Sequence, residues 1–221
     1  MGRENRRGER RPRGGLQNQR IPELGYYIIV TDAKETEKNY LLGLRDTIPP
    51  CLKDKLVIKV FQASTQDLIA KCKELMSRDP QYRMPWIVFD RDRVPNFDNI
   101  IARAKSEGIS VGWSNPCIEI LFHAYFGNMP TILESARCCE HFATIFKQHT
   151  GMEYDKADTK ILEKLRKYGD EIVAIEVARR RMHQWENSDV IRPSKMCPCS
   201  TLFELVSEID KKSIVYWKDN P

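Results

Sequence analysis

The chain lacks any long hydrophobic run. No apolar stretch of its 221 residues approaches the roughly 18 to 20 residues that a helix needs to cross a bilayer, which excludes a helical membrane protein. The N-terminal stretch MGRENRRGERRPRGG is charged and has no apolar core, so it does not have the form of a secretory signal. We therefore expect a cytoplasmic protein with no membrane partner. The length and the hydrophobic content of 41% are enough for one sizeable α/β domain with a helical appendage.

Cysteines are few and do not suggest a disulfide framework. There are seven, an odd number, and several lie in apolar or helical contexts. This usage is typical of reduced thiols inside a cell. The CPC stretch at Cys197 and Cys199 has two thiols, too few for a structural zinc site unless others, such as Cys138 and Cys139, converge on it.

Lysine is absent from the first 20 residues, which contain seven arginines and two glutamates. Their net charge of +5 equals that of the whole chain, so the remainder is formally neutral. A segment rich in Gly, Pro and Arg cannot form a packed core, and we expect residues 1–22 to be a disordered arm. Such arms commonly bind nucleic acid through its phosphates, although a solvated tail without a partner has the same composition. The candidate phosphate-binding residues are Arg6, Arg7, Arg10, Arg11 and Arg13.

Short apolar runs alternate with segments of helical spacing as far as about residue 128. Asn115 is expected to cap the helix after the fourth run, with Pro116 in its first position and Gly127 at its end, and Ser64 to cap an earlier helix. The alternation predicts an α/β fold, with a mostly parallel sheet flanked by helices and right-handed crossovers. The predicted strands span residues 25–32, 55–63, 85–90 and 108–114.

From about residue 130 onward the pattern is helical only. Candidate helices end at Gly151 and Gly169, and two more follow. We therefore expect an α/β domain over residues 23–128 and a helical C-terminal region over residues 129–221 that packs on it.

Acidic residues follow three of the predicted strands. In an open parallel sheet, ligands bind beyond the carboxyl ends of the strands, so these side chains are expected at one edge. Hard divalent cations such as Mg²⁺ take oxygen ligands, and a metal-dependent phosphoryl-transfer site requires converging acids. Each acid alone is also compatible with a turn or a helix cap. The acids are Asp32 with Glu35 and Glu37 after the first strand, Asp90 and Asp92 after the third, and Glu119 after the fourth.

The helix after the fourth strand places Glu119 and His123 four residues apart, on one face. On a mostly apolar helix such a pair can position water or protonate a leaving oxygen. It can equally be a satisfied buried hydrogen bond.

A basic run occurs near the C-terminus at Arg179, Arg180 and Arg181, within a predicted amphipathic helix. These arginines are candidates for contact with a nucleic-acid backbone, which predicts strong salt dependence and little sequence information. A solvated helix face is the alternative.

Three segments, in this order, resemble the RloB-like proteins, which carry a Toprim-type catalytic domain. The segments are IIVTDAKETEKNY, WIVFDRD and GISVGWSNPCIEILFHAYF. The family pattern is an acid after strand one with a TE-x-x-Y element, a D-x-D after strand three, and an S-N-P-x-x-E helix that ends in His. The resemblance covers about residues 25–125 well and the remainder loosely. It implies a Toprim-like sheet of Rossmann type.

By this resemblance, the Toprim glutamate corresponds to Asp32 and the D-x-D to Asp90 and Asp92, the three implied metal ligands. Glu37, Glu119 and His123 match the other catalytic positions. The chain departs from the pattern at strand one, where the family usually has Glu-Gly and this sequence has Asp-Ala. Aspartate reaches roughly 1.5 Å less far, one C–C bond, so a metal would be bound there through a water or through Glu37.

The resemblance implies a metal-dependent phosphodiester hydrolase that uses Mg²⁺ or Mn²⁺ and acts as an effector of bacterial anti-phage defence. RNA is the favoured substrate, tRNA in particular, and an ATPase is the implied protein partner. The alternatives are a catalytically degenerate nucleic-acid-binding subunit that partners an ATPase, a DNA nickase, and a phosphotransfer enzyme that acts on small molecules. The last would leave the arginine arm unexplained. The sequence leaves the oligomeric state open.

Overall fold

The computed structural model describes residues 22–78, 83–92 and 94–219. The predicted arginine arm, with its five candidate arginines, lies outside them except for Pro22. The strands are β1 (Gly25–Thr31), β2 (Leu56–Gln62), β3 (Arg83–Asp90), β4 (Ser110–Asn115) and β5 (Cys199–Ser200). The α-helices are α1 (Thr36–Asp46), α2 (Leu68–Arg78), α3 (Phe97–Ser106), α4 (Glu119–Ala124), α5 (Ser135–Thr150), α6 (Ile161–Tyr168), α7 (Glu171–Glu186) and α8 (Leu202–Asp219).

One five-stranded sheet runs in the order β2-β1-β3-β4-β5. The first four strands are parallel, which confirms the predicted α/β class and its mostly parallel sheet. The fifth strand is antiparallel to β4, with Ser200 opposite Ser114 and Cys199 opposite Asn115. The prediction of helices alone beyond residue 130 was therefore wrong at β5. Two residues are too few to produce an alternating pattern.

The central strands β1 and β3 are buried on both faces, as their continuous apolar sequences predict. Tyr27 and Ile29 point into one hydrophobic core, which also contains side chains of α1 and of α4 to α8. Ile28 and Val30 point into a second core, formed mainly with α2 and α3. The C-terminal helices therefore share a core with the sheet, and their packing fixes the position of the strand ends.

Two predicted helix starts were wrong. Asn115 is the last residue of β4, the Asn115–Pro116 peptide is cis, and α4 begins only at Glu119. The Asn115 side chain cannot cap a helix because its amide donates to the carbonyls of Pro193 (3.2 Å) and Ser194 (3.3 Å). Ser64 lies four residues before α2, and its hydroxyl donates to Asp67 (2.6 Å) within the preceding turn.

The predicted helix ends at glycine agree better with the structure. Gly151 caps α5 in the left-handed conformation, with φ of 73°, and Gly127 follows α4 with φ of 89°. Both backbones lie in the region that glycine enters without a steric cost. Among the described residues, no helix combines the length and the apolar composition that crossing a membrane requires.

Candidate metal centre

A cavity of about 450 Å³ opens at the carboxyl edge of the parallel strands. Five of the six acidic or basic side chains predicted from the three motifs line it, which brings together residues up to 87 positions apart in the sequence. Each comes from the expected place at the end of a strand or the start of a helix. They are Asp32 after β1, Glu37 in the first turn of α1, Asp90 at the end of β3, Asp92 just beyond it, and Glu119 at the start of α4.

The loop after β3 is tied to the segment that leads into α4. The backbone N–H of Ile118 donates to Asp90 Oδ2 (2.9 Å), and the N–H of Asp92 donates to the carbonyl of Pro116 (3.0 Å). The Ser135 hydroxyl at the start of α5 donates to Asp92 Oδ1 (3.0 Å). Asp92 has a φ of 22°, in a positive region where Asp and Asn are enriched among residues other than glycine. These bonds hold the two aspartates in fixed positions at the edge of the sheet.

Arg91, which separates the two aspartates in the sequence, does not neutralise them. Its guanidinium donates to the carbonyls of Asp92 (3.2 Å) and Val94 (3.1 Å), and it lies 5.6 Å from the centre of the Phe97 ring. Arg91 is not among the residues that line the cavity. The positive charge of Arg91 therefore stabilises the loop instead of entering the cavity.

The pKa values of the half-buried acids Asp90 and Glu37 show the cost of holding them together. Burial raises the pKa of Asp90 well above its ordinary value, and the neighbouring Glu37 raises it further. Burial also raises the pKa of Glu37; a hydrogen bond with Asp90 partly offsets this rise, and repulsion from Glu119 and Asp32 adds to it. A divalent cation would remove this repulsion. Carboxylate oxygens on hydrogen-bonded supports suit Mg²⁺ or Mn²⁺, so the donor set fits such an ion.

Asp32 is held by a hydroxyl from the segment that follows the neighbouring parallel strand β2. The Thr65 hydroxyl, just beyond β2, donates to Asp32 Oδ2 (2.5 Å). Burial raises the pKa of Asp32, and the bond from Thr65 partly offsets that effect. The shorter side chain at this position therefore still faces the cavity. Glu35, by contrast, is exposed and does not line the cavity.

Glu119 is 2% exposed, and side chains of the loop between α5 and α6 hold its carboxylate in place. The Tyr154 hydroxyl donates to Glu119 Oε1 (2.9 Å), and Lys156 Nζ lies 3.6 Å from the same oxygen. The Thr36 hydroxyl donates to the Lys156 carbonyl (3.4 Å), which ties this loop to α1. Of the described residues that line the cavity, Lys156 is the one with a cationic side chain.

The sequence analysis missed four polar groups of this site. Tyr154 and Lys156 lie in a loop with no motif, and only tertiary packing brings it over the strand ends. Thr65 and Ser135 were not singled out, although each hydroxyl bonds a cavity aspartate. A hydroxyl just beyond a strand end was a detectable signal for Thr65; we find no sequence signal for the other three.

A family profile described as RloB-like protein matches residues 27–209. The chain belongs to the RloB-like family. The matched span includes all five carboxylates of the cavity, together with Lys156. No curated protein and no solved structure matches the chain.

His123 of this RloB-like chain does not line the cavity. It is 3% exposed, its Nε2 lies 3.4 Å from His141 Nδ1, and its ring meets Phe142 edge to face at 5.4 Å. Burial, with repulsion from His141, lowers the pKa of His123 to about 4, so its imidazole is neutral near pH 7. The predicted acid–base role of His123 gains no support from this position, which is that of a packed core residue.

The three arginines of α7 differ in what they contact. Arg179 lies over the Phe203 ring at 5.8 Å, with its Nη2 3.5 Å from the Ser207 hydroxyl. Arg181 donates to the Met129 carbonyl (3.3 Å) and to Gln184 (3.1 Å). Arg180 is exposed. Of the predicted basic run, Arg180 is therefore the side chain best placed to meet a nucleic-acid backbone.

The raised pKa values predict how stability depends on pH in the absence of divalent cations. Asp90 and Glu37 bind protons more tightly in the folded chain, so their contribution to the free energy of unfolding should fall as the pH rises above about 4, the pKa range of unfolded carboxyls. Asp90→Asn keeps an acceptor for Ile118 and removes one charge. We expect it to flatten this dependence and to raise the melting temperature near pH 8 by about 2–4 °C, the shift that 1 kcal/mol produces in a chain of this size.

Thermal unfolding with a chelator, followed by circular dichroism, checks this expectation. Added Mg²⁺ should stabilise the native sequence and have less effect on Asp90→Asn. Glu35→Gln, which removes an exposed carboxylate outside the cavity, is the matched control and should behave like the native chain. The same pH dependence in the native chain and in Asp90→Asn would contradict the account.

Proposed function

We propose that this RloB-like chain is a metal-dependent phosphodiester hydrolase of Toprim type that cleaves nucleic acid in the cytoplasm. RNA is the substrate that we favour, tRNA in particular, and the cellular role that we infer is that of an anti-phage effector. The observation that carries the proposal is the convergence of five carboxylates on one cavity at the carboxyl edge of the sheet. A protein that only binds RNA has no use for this much negative charge facing a polyanion.

The residues that would hold the ion are Asp32, Glu37, Asp90 and Asp92. All four supply oxygen ligands, the kind that Mg²⁺ and Mn²⁺ prefer. When bound, such an ion makes water a stronger nucleophile near neutral pH and stabilises negative charge on phosphoryl oxygens. The raised pKa values of Asp32, Glu37 and Asp90 support a site arranged for a cation.

Glu119 and Lys156 have separate tasks in this proposal. Tyr154 and Lys156 both contact Oε1 of Glu119, so its Oε2 can accept a hydrogen bond from a water in the cavity and orient it. Burial opposes the charged form of Lys156, but Glu119 and Cys139 outweigh that effect and raise its pKa. Lys156 is therefore a cation near neutral pH, in position to attract a phosphate towards the carboxylates.

The polymeric substrate is inferred from charge outside the cavity. The arm over residues 1–20 carries a net charge of +5, and Arg180 is exposed on α7. Such charges bind a phosphate backbone without reading its sequence, which suits a long nucleic acid better than a small phosphate ester. The choice of RNA, the anti-phage role and an ATPase partner rest on the resemblance to RloB-like proteins.

The runner-up function is a catalytically degenerate nucleic-acid-binding subunit that partners an ATPase. It is favoured by one feature, the aspartate at position 32 where the family usually has glutamate. Against it, the Asp32 carboxylate lines the cavity and is held by Thr65, so the shorter side chain still takes part in the acidic cluster. A DNA nickase uses the same site, and the choice of substrate in the assay separates it from an RNase.

Cleavage should depend on the acidic residues that line the cavity and not on acidic residues outside it. We expect the purified chain, alone or with an ATPase encoded beside its gene, to cut tRNA with Mg²⁺ or Mn²⁺ and not with a chelator. Glu37→Gln should lower the cleavage rate by about 100-fold or more, as loss of a group that supports a metal or the transition state does. Gel analysis of total tRNA, ribosomal RNA and plasmid DNA measures it.

The matched control is Glu35→Gln, an identical change two residues away at an exposed position, which should leave the rate within about twofold of the native chain. Cleavage of plasmid alone would identify a DNA nickase. If Glu37→Gln and Asp90→Asn cut as fast as the native chain, or no substrate is cut in either setting, the hydrolase proposal fails.

Binding of RNA should depend on Arg180 through a phosphate contact. With Ca²⁺ or a chelator present to prevent cleavage, Arg180→Ala should weaken tRNA binding. It should also reduce the slope of log affinity against log salt concentration by about one. Fluorescence anisotropy at several salt concentrations gives both quantities. Arg45→Ala removes an exposed arginine that is paired with Asp46 and should leave the slope unchanged; equal slopes for Arg180→Ala and the native chain would contradict the contact.

A further inference from the structure

A second group of metal-ligating side chains adjoins the acidic cavity. The Sγ atoms of Cys117 and Cys139 and a carboxylate oxygen of Glu119 all lie within 4.8 Å of one another. Cys117 is buried in the turn between β4 and α4 and lines the cavity, Glu119 begins α4, and Cys139 is half-buried near the start of α5. The three therefore come from segments that the fold already holds together.

We propose that Cys117, Cys139 and Glu119 form a binding site for a thiophilic divalent cation, Zn²⁺ in type. We propose further that its occupancy inhibits the chain by drawing Glu119 away from the carboxylates that would hold Mg²⁺. The binding of the cation is independent of the proposed function, whereas the inhibition rests on it. Neither the family match nor the carboxylate site requires this second site.

The donor set suits a soft metal. Zn²⁺ accepts thiolate and carboxylate ligands and can be held by three protein ligands with one position open, whereas Mg²⁺ takes oxygen ligands. A Zn–S bond of about 2.3 Å implies tetrahedral S···S separations of about 3.8 Å. The observed upper limit of 4.8 Å therefore requires an adjustment of about 1 Å at most. Each thiol that binds the cation releases its proton to solvent, so two protons leave per ion.

Without a metal ion, the Lys156 ammonium lies next to Glu119, where the positive charge of a bound cation would be. Its Nζ lies 3.6 Å from Glu119 Oε1, and its side chain is 55% exposed, so it can turn out to solvent when an ion binds. The ammonium and the metal ion repel each other, which makes them alternatives at Glu119. Lys156→Gln should therefore tighten metal binding, an effect that a merely structural role of the thiols would not produce.

Cobalt absorption tests the site directly. The reduced, chelator-treated full chain is titrated with Co²⁺, whose thiolate complexes give a charge-transfer band. We expect one Co²⁺ per chain, which Zn²⁺ displaces. The affinity for Co²⁺ should fall by about 100-fold or more in Cys139→Ser, because loss of a residue that only hydrogen-bonds to a metal ligand already lowers affinity by up to about 100-fold. Cys139 is preferred to Cys117 because it is only half-buried. Cys51→Ser alters an exposed thiol elsewhere and should change nothing.

The outcomes separate the two proposals. A missing thiolate band, or a band of equal affinity in Cys139→Ser, overturns the metal site whatever the chain hydrolyses. In the cleavage assay with Mg²⁺, Zn²⁺ should inhibit the native chain and Cys51→Ser more strongly than Cys139→Ser, each compared with its own rate without Zn²⁺. Equal inhibition of all three overturns the inhibitory role. A chain that binds Co²⁺ as expected but cuts nothing overturns the hydrolase and leaves the metal site standing.

Discussion

Repulsion among carboxylates held at one edge of the sheet is the constraint on which the rest of the structure depends. Asp90 and Glu37 are hydrogen-bonded and half-buried; burial raises the pKa of both carboxyls, and Glu37 raises that of Asp90 further. They stay together because rigid elements hold them: β1 and β3 are buried on both faces, and the Ile118 amide bonds Asp90. A site whose like charges repel one another needs such support, and a bound divalent cation relieves the repulsion.

The C-terminal region is part of this support. Its helices share a hydrophobic core with the sheet, Ser135 at the start of α5 bonds Asp92, and the loop before α6 supplies Tyr154 and Lys156 to Glu119. The same region provides Cys139 for the proposed thiophilic site. The division predicted at residue 128 is therefore a boundary in sequence pattern, across which the functional groups are shared.

The fold and the acidic edge could be predicted because both follow from local patterns. An apolar run that ends in an acid marks a buried strand and its carboxyl end, and parallel strands bring such ends together. The burial of His123 away from the cavity could not be predicted, because its four-residue spacing from Glu119 shows that the two share a helix face but not which residues pack against each of them. Hydrogen bonds to residues distant in the sequence left no pattern either. Examples are the bond from the Asn115 amide to the Pro193 carbonyl and the bond from Arg181 to the Met129 carbonyl.

The central claim, that these carboxylates form one cation site, is tested most directly by Mn²⁺ binding, measured by electron paramagnetic resonance on the full chain. The account predicts that the native chain and Glu35→Gln take up Mn²⁺ and remove the signal of the free ion, while Glu37→Gln and Asp90→Asn bind it at least about tenfold more weakly. Equal Mn²⁺ affinity in all four chains, or no binding by the native chain, would contradict it.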